Sequence, residues 1–247
     1  MDGEHKMNTN NGHRDSTRSR ISIVLPCLNE EESLPIVVRA AYEVAEEIIV
    51  VDNGSDDNSS DIAKSLGVTV ISEPCRGYGR AYRTGMPKAT RELIATMDVD
   101  CTYPVASIPE MAEIVLRGEA DFVSGARFPL DNSRAMHLKN QRSNRFISWA
   151  CSRMLNIEMR DLESGMWVFR RDILDQVLPE SDGMEFSQDI KLKACLNPNL
   201  RFMEHHIPYS QRVGESKFNT LKDATRDVKT LWAYRNQRRK RRARPQG

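Results

Sequence analysis

Short apolar segments alternate with amphipathic segments along the first half of the chain. The amphipathic segments repeat their apolar positions at helical spacing and cover residues 33–44, 58–66, 80–89 and 107–116. The apolar segments have the character of strands and are Ile21–Leu25, Glu47–Val51, Val68–Ser72, Leu93–Met97 and Phe122–Ser124. This alternation predicts an α/β fold, in which a mostly parallel sheet carries helices on both faces.

The second half of the chain is less regular. Helical spacing returns at 140–155, 185–195 and 221–235, with a strand predicted at Met166–Phe169 and extended segments at 200–203 and 206–209. A chain of 247 residues can bury one substantial core, so we predict a single domain over residues 21–232. We expect the polar residues 1–20 to be a disordered leader and residues 233–247 to be a basic tail.

The composition limits the cellular setting. The five cysteines are scattered without a C-x-x-C pair, which argues against a disulfide framework or structural zinc and favours a reducing cytosol. No apolar run approaches the roughly 18 residues of a membrane-spanning helix, and the first residues do not resemble a signal peptide. We therefore predict a cytoplasmic protein.

Charge is distributed unevenly between the body and the C-terminal end. The net charge is +1, but residues 235–247 hold seven Lys or Arg and no acid, which leaves −6 for the rest. A mildly acidic body is a poor binder of nucleic acid. The basic tail could instead dock on an anionic membrane, at about 1 kcal/mol per basic residue near the surface. The alternative is a solvated, disordered tail.

Two predicted strands end in clusters of acidic residues. Asp52 opens one cluster, and Asp98 and Asp100 form the other. Because ligands of such sheets bind at the carboxyl ends of the strands, both clusters are predicted to line one crevice. Two unpaired carboxylates at this spacing repel each other unless a cation lies between them, and Mg²⁺ or Mn²⁺ suits such oxygen ligands. The alternative for Asp98 and Asp100 is a turn or helix-capping pair.

Asp52 admits a second interpretation, as the ribose-binding acid of a dinucleotide fold. That fold requires a glycine-rich first turn, whereas the first turn here is PCLNEEES and contains no glycine. A role for Asp52 in binding a ribose or a base remains open.

The ordered motifs resemble those of glycosyltransferase family 2, which has the GT-A fold. They are ISIVLPCLNEEESL, IIVVDNGSDDNS, RGYGRAYRTG and ATMDVDCTYP, followed by SGARF, RDLESGMWVFRR and RVGESKFNTLKDATRD. Within that family the chain is similar to the branch that transfers mannose or glucose to polyprenyl (dolichol) phosphate. The resemblance covers residues 21–232.

The resemblance implies roles for individual residues. The residues implied at the donor are Pro26, Asn29, Glu30 and Asp52 for the nucleotide, Asp98 and Asp100 for the metal and diphosphate, and Arg212, Ser216 and Lys217 in a loop that closes over it. Arg127 and Arg145 match positions that contact phosphate. If the acceptor were a hydroxyl, Asp189 would be the candidate base. The chain has Thr102 where the family often has Gln or Ser, which puts a third metal contact in doubt.

The resemblance also implies a reaction and a location. It implies metal-dependent, inverting transfer of a hexose from GDP-mannose or UDP-glucose to dolichyl or undecaprenyl phosphate. The enzyme would lie peripherally on the cytoplasmic face of a membrane, with a small membrane-anchoring partner as one further expectation. Two alternatives remain open: a soluble glycosyltransferase that acts on a sugar or small-molecule hydroxyl, and a non-catalytic subunit that binds nucleotide sugars.

Overall fold

The computed structural model describes residues 15–212, 230–232 and 234–236. Within these ranges one sheet contains the strands β1 (Ile21–Cys27), β2 (Glu47–Asp52), β3 (Thr69–Ser72), β4 (Leu93–Thr96), β5 (Phe122–Ala126), β6 (Trp167–Arg170) and β7 (Phe202–His206). Their order across the sheet is β3-β2-β1-β4-β6-β5-β7. β6 runs antiparallel to its neighbours β4 and β5, and the other pairings are parallel. The predicted mostly parallel α/β sheet is confirmed.

The helices also follow the sequence pattern closely. They are α1 (Leu34–Tyr42), α2 (Ser59–Ser65), α3 (Tyr78–Gly85), α4 (Ile108–Leu116), α5 (Leu138–Leu155), α6 (Leu174–Val177) and α7 (Phe186–Leu196). The helix predicted over 80–89 divides into α3 and a 3₁₀ turn, Met86–Lys88. Pro87 explains the division, because proline lacks the N–H that would continue an α-helix.

Both faces of the sheet are covered. Along β1, Ile23 and Leu25 belong to a buried cluster with α1 and α4, whereas Val24 belongs to a second cluster with α3 and α7. Successive side chains of a strand point to opposite faces, so a strand that is buried on both sides is apolar throughout. This is why the strands read as continuous apolar runs.

The ordered chain begins before Ile21, which corrects the predicted leader boundary at residue 20. Thr17 is buried, and its hydroxyl donates a 2.5 Å hydrogen bond to the Glu113 carboxylate. The Arg18 Nε donates to the Tyr42 carbonyl at 2.8 Å. These contacts depend on polar groups, so a segment with few apolar residues gave no sign of them. Residues 1–14 lie outside the described residues.

The C-terminal part of the chain is described only in short pieces. Residues 230–232 and 234–236 are helical, and Leu231 is buried in a cluster with Cys151 and Leu155 of α5. The rest of the helix predicted over 221–235, and the basic tail after residue 236, lie outside the described residues. None of the helices in the described ranges has both the length and the apolar character to cross a membrane.

Candidate active site

A cavity of about 570 Å³ opens at the carboxyl ends of the parallel strands. Its wall includes residues that follow β1, β2 and β4, the turn before β6, and parts of α3 and α5. Because β6 is antiparallel, its first residues lie at the same edge of the sheet as the last residues of β1 and β4. The topology therefore brings distant parts of the chain into one site.

The acidic pair after β4 lies in the cavity wall. Asp98 accepts a 3.0 Å hydrogen bond from the Tyr78 hydroxyl. Asp100 is buried, and its Oδ1 accepts hydrogen bonds from the backbone N–H and the hydroxyl of Thr102, at 3.1 and 2.6 Å. Its other carboxylate oxygen forms an ion pair with Arg212. β4 has already ended at Thr96, so these two residues lie in the loop that follows and not on a strand.

The electrostatics of this pair fit a divalent cation. Burial, and then the negative charge of Asp100, raise the pKa of Asp98 to about 7. Gly165 leaves room beside it, because a Cβ at this position would come 3.3–3.4 Å from the Asp98 carboxylate oxygens and 2.6 Å from the Tyr78 hydroxyl. Mg²⁺ and Mn²⁺ are commonly held by one or two carboxylates, with waters and substrate phosphates as the other ligands.

The donor set is limited to that pair. Within the described ranges, no group of three or more His, Cys, Asp or Glu side chains could hold a metal ion. The Thr102 hydroxyl, which the sequence left in doubt as a ligand, is directed at Asp100. Water and the diphosphate would therefore have to complete the coordination of a cation at Asp98 and Asp100.

The raised pKa of Asp98 predicts a pH-dependent gain in stability when its charge is removed. Its folded pKa of about 7 lies above the ordinary unfolded value, so the folded state binds the extra proton between these values and loses stability as pH rises through them. In EDTA, we expect Asp98→Asn to become more stable than wild type by on the order of 1–3 kcal/mol as pH rises from about 4 to about 7, and to keep this advantage above pH 7.

Urea denaturation at several pH values measures this difference. Asp56→Asn, an exposed acid in the loop after β2, is the matched control. A difference between Asp98→Asn and wild type that did not change with pH would contradict the prediction. Adding Mn²⁺ at neutral pH should raise the Tm of wild type but not that of Asp98→Asn.

The turns after β1 and β2 form the neighbouring part of the wall. Pro26, Glu30 and Asn53 line the cavity. Asn29, at φ 51°, does not line it but links the two turns, since its side-chain oxygen accepts from the Asp56 N–H at 2.7 Å. Asp52 is also outside the lining, and its carboxylate accepts from the Ser55 N–H at 3.1 Å. Asn29 and Asp52 thus shape the turns whose other residues face the cavity.

Arg127 lies in the cavity wall but is already paired. Its Nε and Nη2 each donate to the buried Asp161 carboxylate at 2.7 Å, and its backbone N–H donates to the same group at 2.9 Å. Burial opposes ionisation of Asp161, but the adjacent guanidinium holds its pKa below the ordinary value. Nη1 takes part in neither side-chain bond, so any phosphate contact by Arg127 would depend mainly on that nitrogen.

The structure brings to the site an acid that the sequence reasoning missed. Glu163 lines the cavity and accepts a 2.6 Å hydrogen bond from the Gln188 amide. Burial raises its pKa, although Lys191 and Arg127 act in the opposite direction. Lys191 is fully buried, donates to the carbonyls of Asp161 and Ser164 at 2.9 Å, and has a pKa lowered to about 8 by burial.

The signal for Glu163 was present in the sequence, in the motif RDLESGMWVFRR. The position of Glu163 in the fold could not be derived from the motif. If the strand that follows Glu163 within the motif, β6, ran parallel to its neighbours, Glu163 would lie at the opposite edge of the sheet. Only the antiparallel direction of β6 places Glu163 in the same cavity wall as Asp98.

Besides Asn29 and Asp52, two further predicted site residues do not line the cavity. Arg145 is exposed on α5, and it is the preceding residue, Asn144, that faces the cavity. One residue turns the side chain by about 100° around a helix, which moves Arg145 away from it. Asp189 is half-buried in α7, where its backbone carbonyl accepts from the Tyr234 hydroxyl at 3.4 Å. Ser216 and Lys217 lie outside the described residues.

Comparison with known proteins identifies the family of the chain. The family model for glycosyl transferase family 2 matches residues 22–178, and the chain belongs to this family. The low-salt glycan biosynthesis hexosyltransferase Agl6 of Haloferax volcanii is 31% identical over 227 residues, which are 85% of this chain and 52% of Agl6. The dolichyl-phosphate hexose transferase of the same species is 28% identical over 81% of this chain and 86% of that protein. The chain therefore spans about half the length of Agl6.

Solved structures show the same fold. Glucosyl-3-phosphoglycerate synthase from Mycobacterium tuberculosis, crystallised with Mn²⁺, UDP-glucose and phosphoglyceric acid, aligns with a TM-score of 0.72 and 20% identity, over 94% of this chain and 86% of that chain. The same enzyme with Mg²⁺ and UDP aligns with a TM-score of 0.71. The GT-A fold expected from the sequence is thus confirmed.

Proposed function

We propose that this glycosyltransferase transfers a hexose, mannose or glucose, from GDP-mannose or UDP-glucose to a polyprenyl phosphate, with inversion at the anomeric carbon. The observation that carries the proposal is the composition of one cavity wall. Asp98 and Asp100 lie there together with the guanidinium groups of Arg127 and Arg212. Such a set can hold a divalent cation and a diphosphate at the same place.

The donor would lie against the turns after β1 and β2. Pro26, Glu30 and Asn53 would contact the nucleoside, supported from behind by Asp52 and Asn29. Asp98 and Asp100 would hold the cation, and the bound Mg²⁺ or Mn²⁺ would offset the charge of the departing diphosphate. Arg212 now neutralises Asp100. A cation at Asp100 would release this guanidinium to bind diphosphate oxygens. Ser216 and Lys217 of the same segment would bind diphosphate oxygens as well.

A phosphate acceptor needs little from the protein beyond positioning. The second pKa of a phosphate monoester is about 6, so its oxygen is largely ionised at pH 7 and requires no general base. Amide and guanidinium donors suit such an anion, and Asn140, Asn144 and Arg127 offer them in the cavity wall. The name of the Haloferax dolichyl-phosphate hexose transferase supports this acceptor class.

A hydroxyl acceptor is the second candidate, and Glu163 favours it. A carboxylate with a raised pKa in the cavity wall could take a proton from an attacking hydroxyl. Asp189, the base expected from the sequence, does not line the cavity. Arg145, on the outer side of α5, would meet an acceptor phosphate only near the membrane and not inside the cavity.

The acceptor assignment can be tested with water-soluble substrates. We expect wild type with Mn²⁺ to glycosylate a short-chain prenyl phosphate, with an inverted anomeric configuration in the product by NMR. The rate should be nearly independent of pH above about pH 7, where the acceptor is fully ionised. Glu163→Gln should retain this activity within a few-fold.

The outcome that would overturn the assignment is also defined. Transfer to a free sugar or small alcohol but to no prenyl phosphate, combined with a large loss in Glu163→Gln, would establish the hydroxyl acceptor. Binding of nucleotide sugars without transfer to either acceptor would leave a non-catalytic role. A screen of nucleotide sugars for thermal stabilisation, run in parallel, identifies the donor.

A lipid acceptor requires the enzyme to work at a membrane. We place it on the cytoplasmic face, attached through the basic tail that begins at Arg235, and a small membrane-anchoring partner would be compatible with this arrangement. The seven basic residues of 235–247 would be drawn to anionic lipids, and salt would weaken the attraction.

A further inference from the structure

We propose that the outer face of α5 is a membrane-docking surface that rests on anionic lipid and holds the cavity close to the bilayer. The inference depends on the proposed lipid-phosphate acceptor and adds a surface, distinct from the basic tail, that would deliver it. The outer face of α5 is defined by Leu138, Arg142, Arg145, Phe146, Trp149 and Arg153.

These positions form one continuous stripe. At about 100° per residue they fall within an arc of about 100° around the helix axis. Leu138, Phe146 and Trp149 are 63%, 63% and 60% exposed, which is unusual for such large apolar side chains gathered on one helix. The rings of Phe146 and Trp149 lie together, with their centroids 5.8 Å apart.

The charge of the helix complements an anionic surface. α5 contains Lys139, Arg142, Arg145 and Arg153 but no Asp or Glu. Aromatic side chains that alternate with cations along one face are typical of helices lying in the headgroup region of a membrane. A second copy of the chain is a poorer occupant, because a two-fold interface would set these arginines against their own copies.

The opposite side of α5 connects this surface to the active site. Asn140 and Asn144 line the cavity, and Ile147, Cys151 and Leu155 pack into a buried cluster that fixes the helix. A helix with its side chains is about 10–12 Å thick, so the cavity wall would lie about that far from the lipid surface. A phosphate headgroup on a flexible prenyl chain could cover such a distance.

The end of the described chain adds to the same region. Leu231 and Tyr234 pack with the buried cluster that contains Cys151 and Leu155, so this end of the described chain lies against α5. Trp232 is 60% exposed, and Arg235 is exposed. The described chain therefore ends against α5, the helix that carries the proposed docking surface.

A fluorescence experiment tests insertion directly. In a Trp232→Phe variant of the full chain, the remaining indoles are Trp149 and Trp167, and Trp167 is fully buried. Phosphatidylcholine vesicles containing phosphatidylglycerol should shift the emission to the blue, and brominated lipid should quench it. Absence of both effects, in a preparation that still sediments with the vesicles, would overturn the proposal.

Paired variants then measure the contribution of the surface. A double variant, Phe146→Ser with Trp149→Ser, should lower partitioning into anionic vesicles by at least about tenfold. Each substitution removes an aromatic side chain that would be buried in the lipid. A second double variant, Arg142→Gln with Arg153→Gln, should also lower the partitioning and should make the partitioning less sensitive to salt. Ile36→Ser, an exposed apolar residue of α1, is the matched control and should leave partitioning unchanged.

The readouts separate this proposal from the proposed function. All variants should keep wild-type transfer to a short, water-soluble prenyl phosphate. If wild type glycosylates no prenyl phosphate but the Phe146 and Trp149 changes still abolish vesicle binding, the acceptor assignment fails and the docking surface stands. If vesicle binding is unaffected by these changes, or if light scattering shows that they convert a dimer to a monomer, the docking surface is wrong.

Discussion

Replacing Asp100 with asparagine is expected to reduce hexose transfer by about 10³-fold while the protein stays folded. Removal of one preorganised charge from a catalytic site typically costs about 10²–10³ in rate, and Asp100 would act on both the cation and the diphosphate. Folding should tolerate the change. The hydrogen bonds from Thr102 can be made to an amide oxygen, and the repulsion with Asp98 disappears.

The comparison requires three measurements on each protein: kcat, Mn²⁺ affinity by calorimetry, and Tm. Asp56→Asn is again the control, since Asp56 is an exposed acid in the loop after β2 and pairs with Arg76. It should leave kcat unchanged. A near-normal kcat in Asp100→Asn would remove this residue from the chemistry, and an unchanged Mn²⁺ affinity with a lost kcat would point to its contact with Arg212.

Replacing Arg127 with alanine is expected to lower the free energy of unfolding by about 3–5 kcal/mol. The change would leave the Asp161 carboxylate, which is fully buried, without the guanidinium that donates two 2.7 Å hydrogen bonds to it. Lys191, whose charge also lowers the pKa of Asp161, donates to the Asp161 carbonyl and not to its carboxylate. At about 2–4 °C per kcal/mol for a domain of this size, Tm should fall by about 10 °C.

Urea denaturation of Arg127→Ala, Asp161→Asn and the double variant measures the coupling between the two residues. Arg20→Ala is the control, because Arg20 pairs with Glu92 on the surface and such pairs contribute at most about 1 kcal/mol. If Arg127→Ala cost no more than Arg20→Ala, Arg127 would be available for substrate. If the larger cost is found, loss of activity in this variant would report on folding and not on phosphate binding.

The sequence alone determined the sheet and the edge that carries the site. β1 and β2 are buried on both faces, so their runs of Ile, Val and Leu had to be continuous, and the segments between them had to be helices. Parallel strands bring their carboxyl ends together. This rule was enough to predict that Asp98 and Asp100 would line a crevice at that edge, although Asp52, which was expected to line it too, does not.

The tertiary structure decided which of the nearby residues face the cavity. Helix phase turns Arg145 outward and Asn144 inward, a difference of one residue that the amphipathic pattern does not resolve. Hydrogen bonding by Asp161 converts Arg127 from a free cation into half of a buried pair. Such pairings join residues 34 positions apart, and no local pattern specifies them.

Strand direction was the largest contribution of the tertiary structure. The apolar run of β6 predicted a strand, but a short buried run looks the same whether the strand is parallel or antiparallel. Its pairing with β4 and β5 decides the direction and so brings Glu163 to the site. The sequence determined where the chemistry would gather, because local periodicity builds strands and helices. Packing determined which side chains take part, because that depends on contacts between segments far apart in the chain.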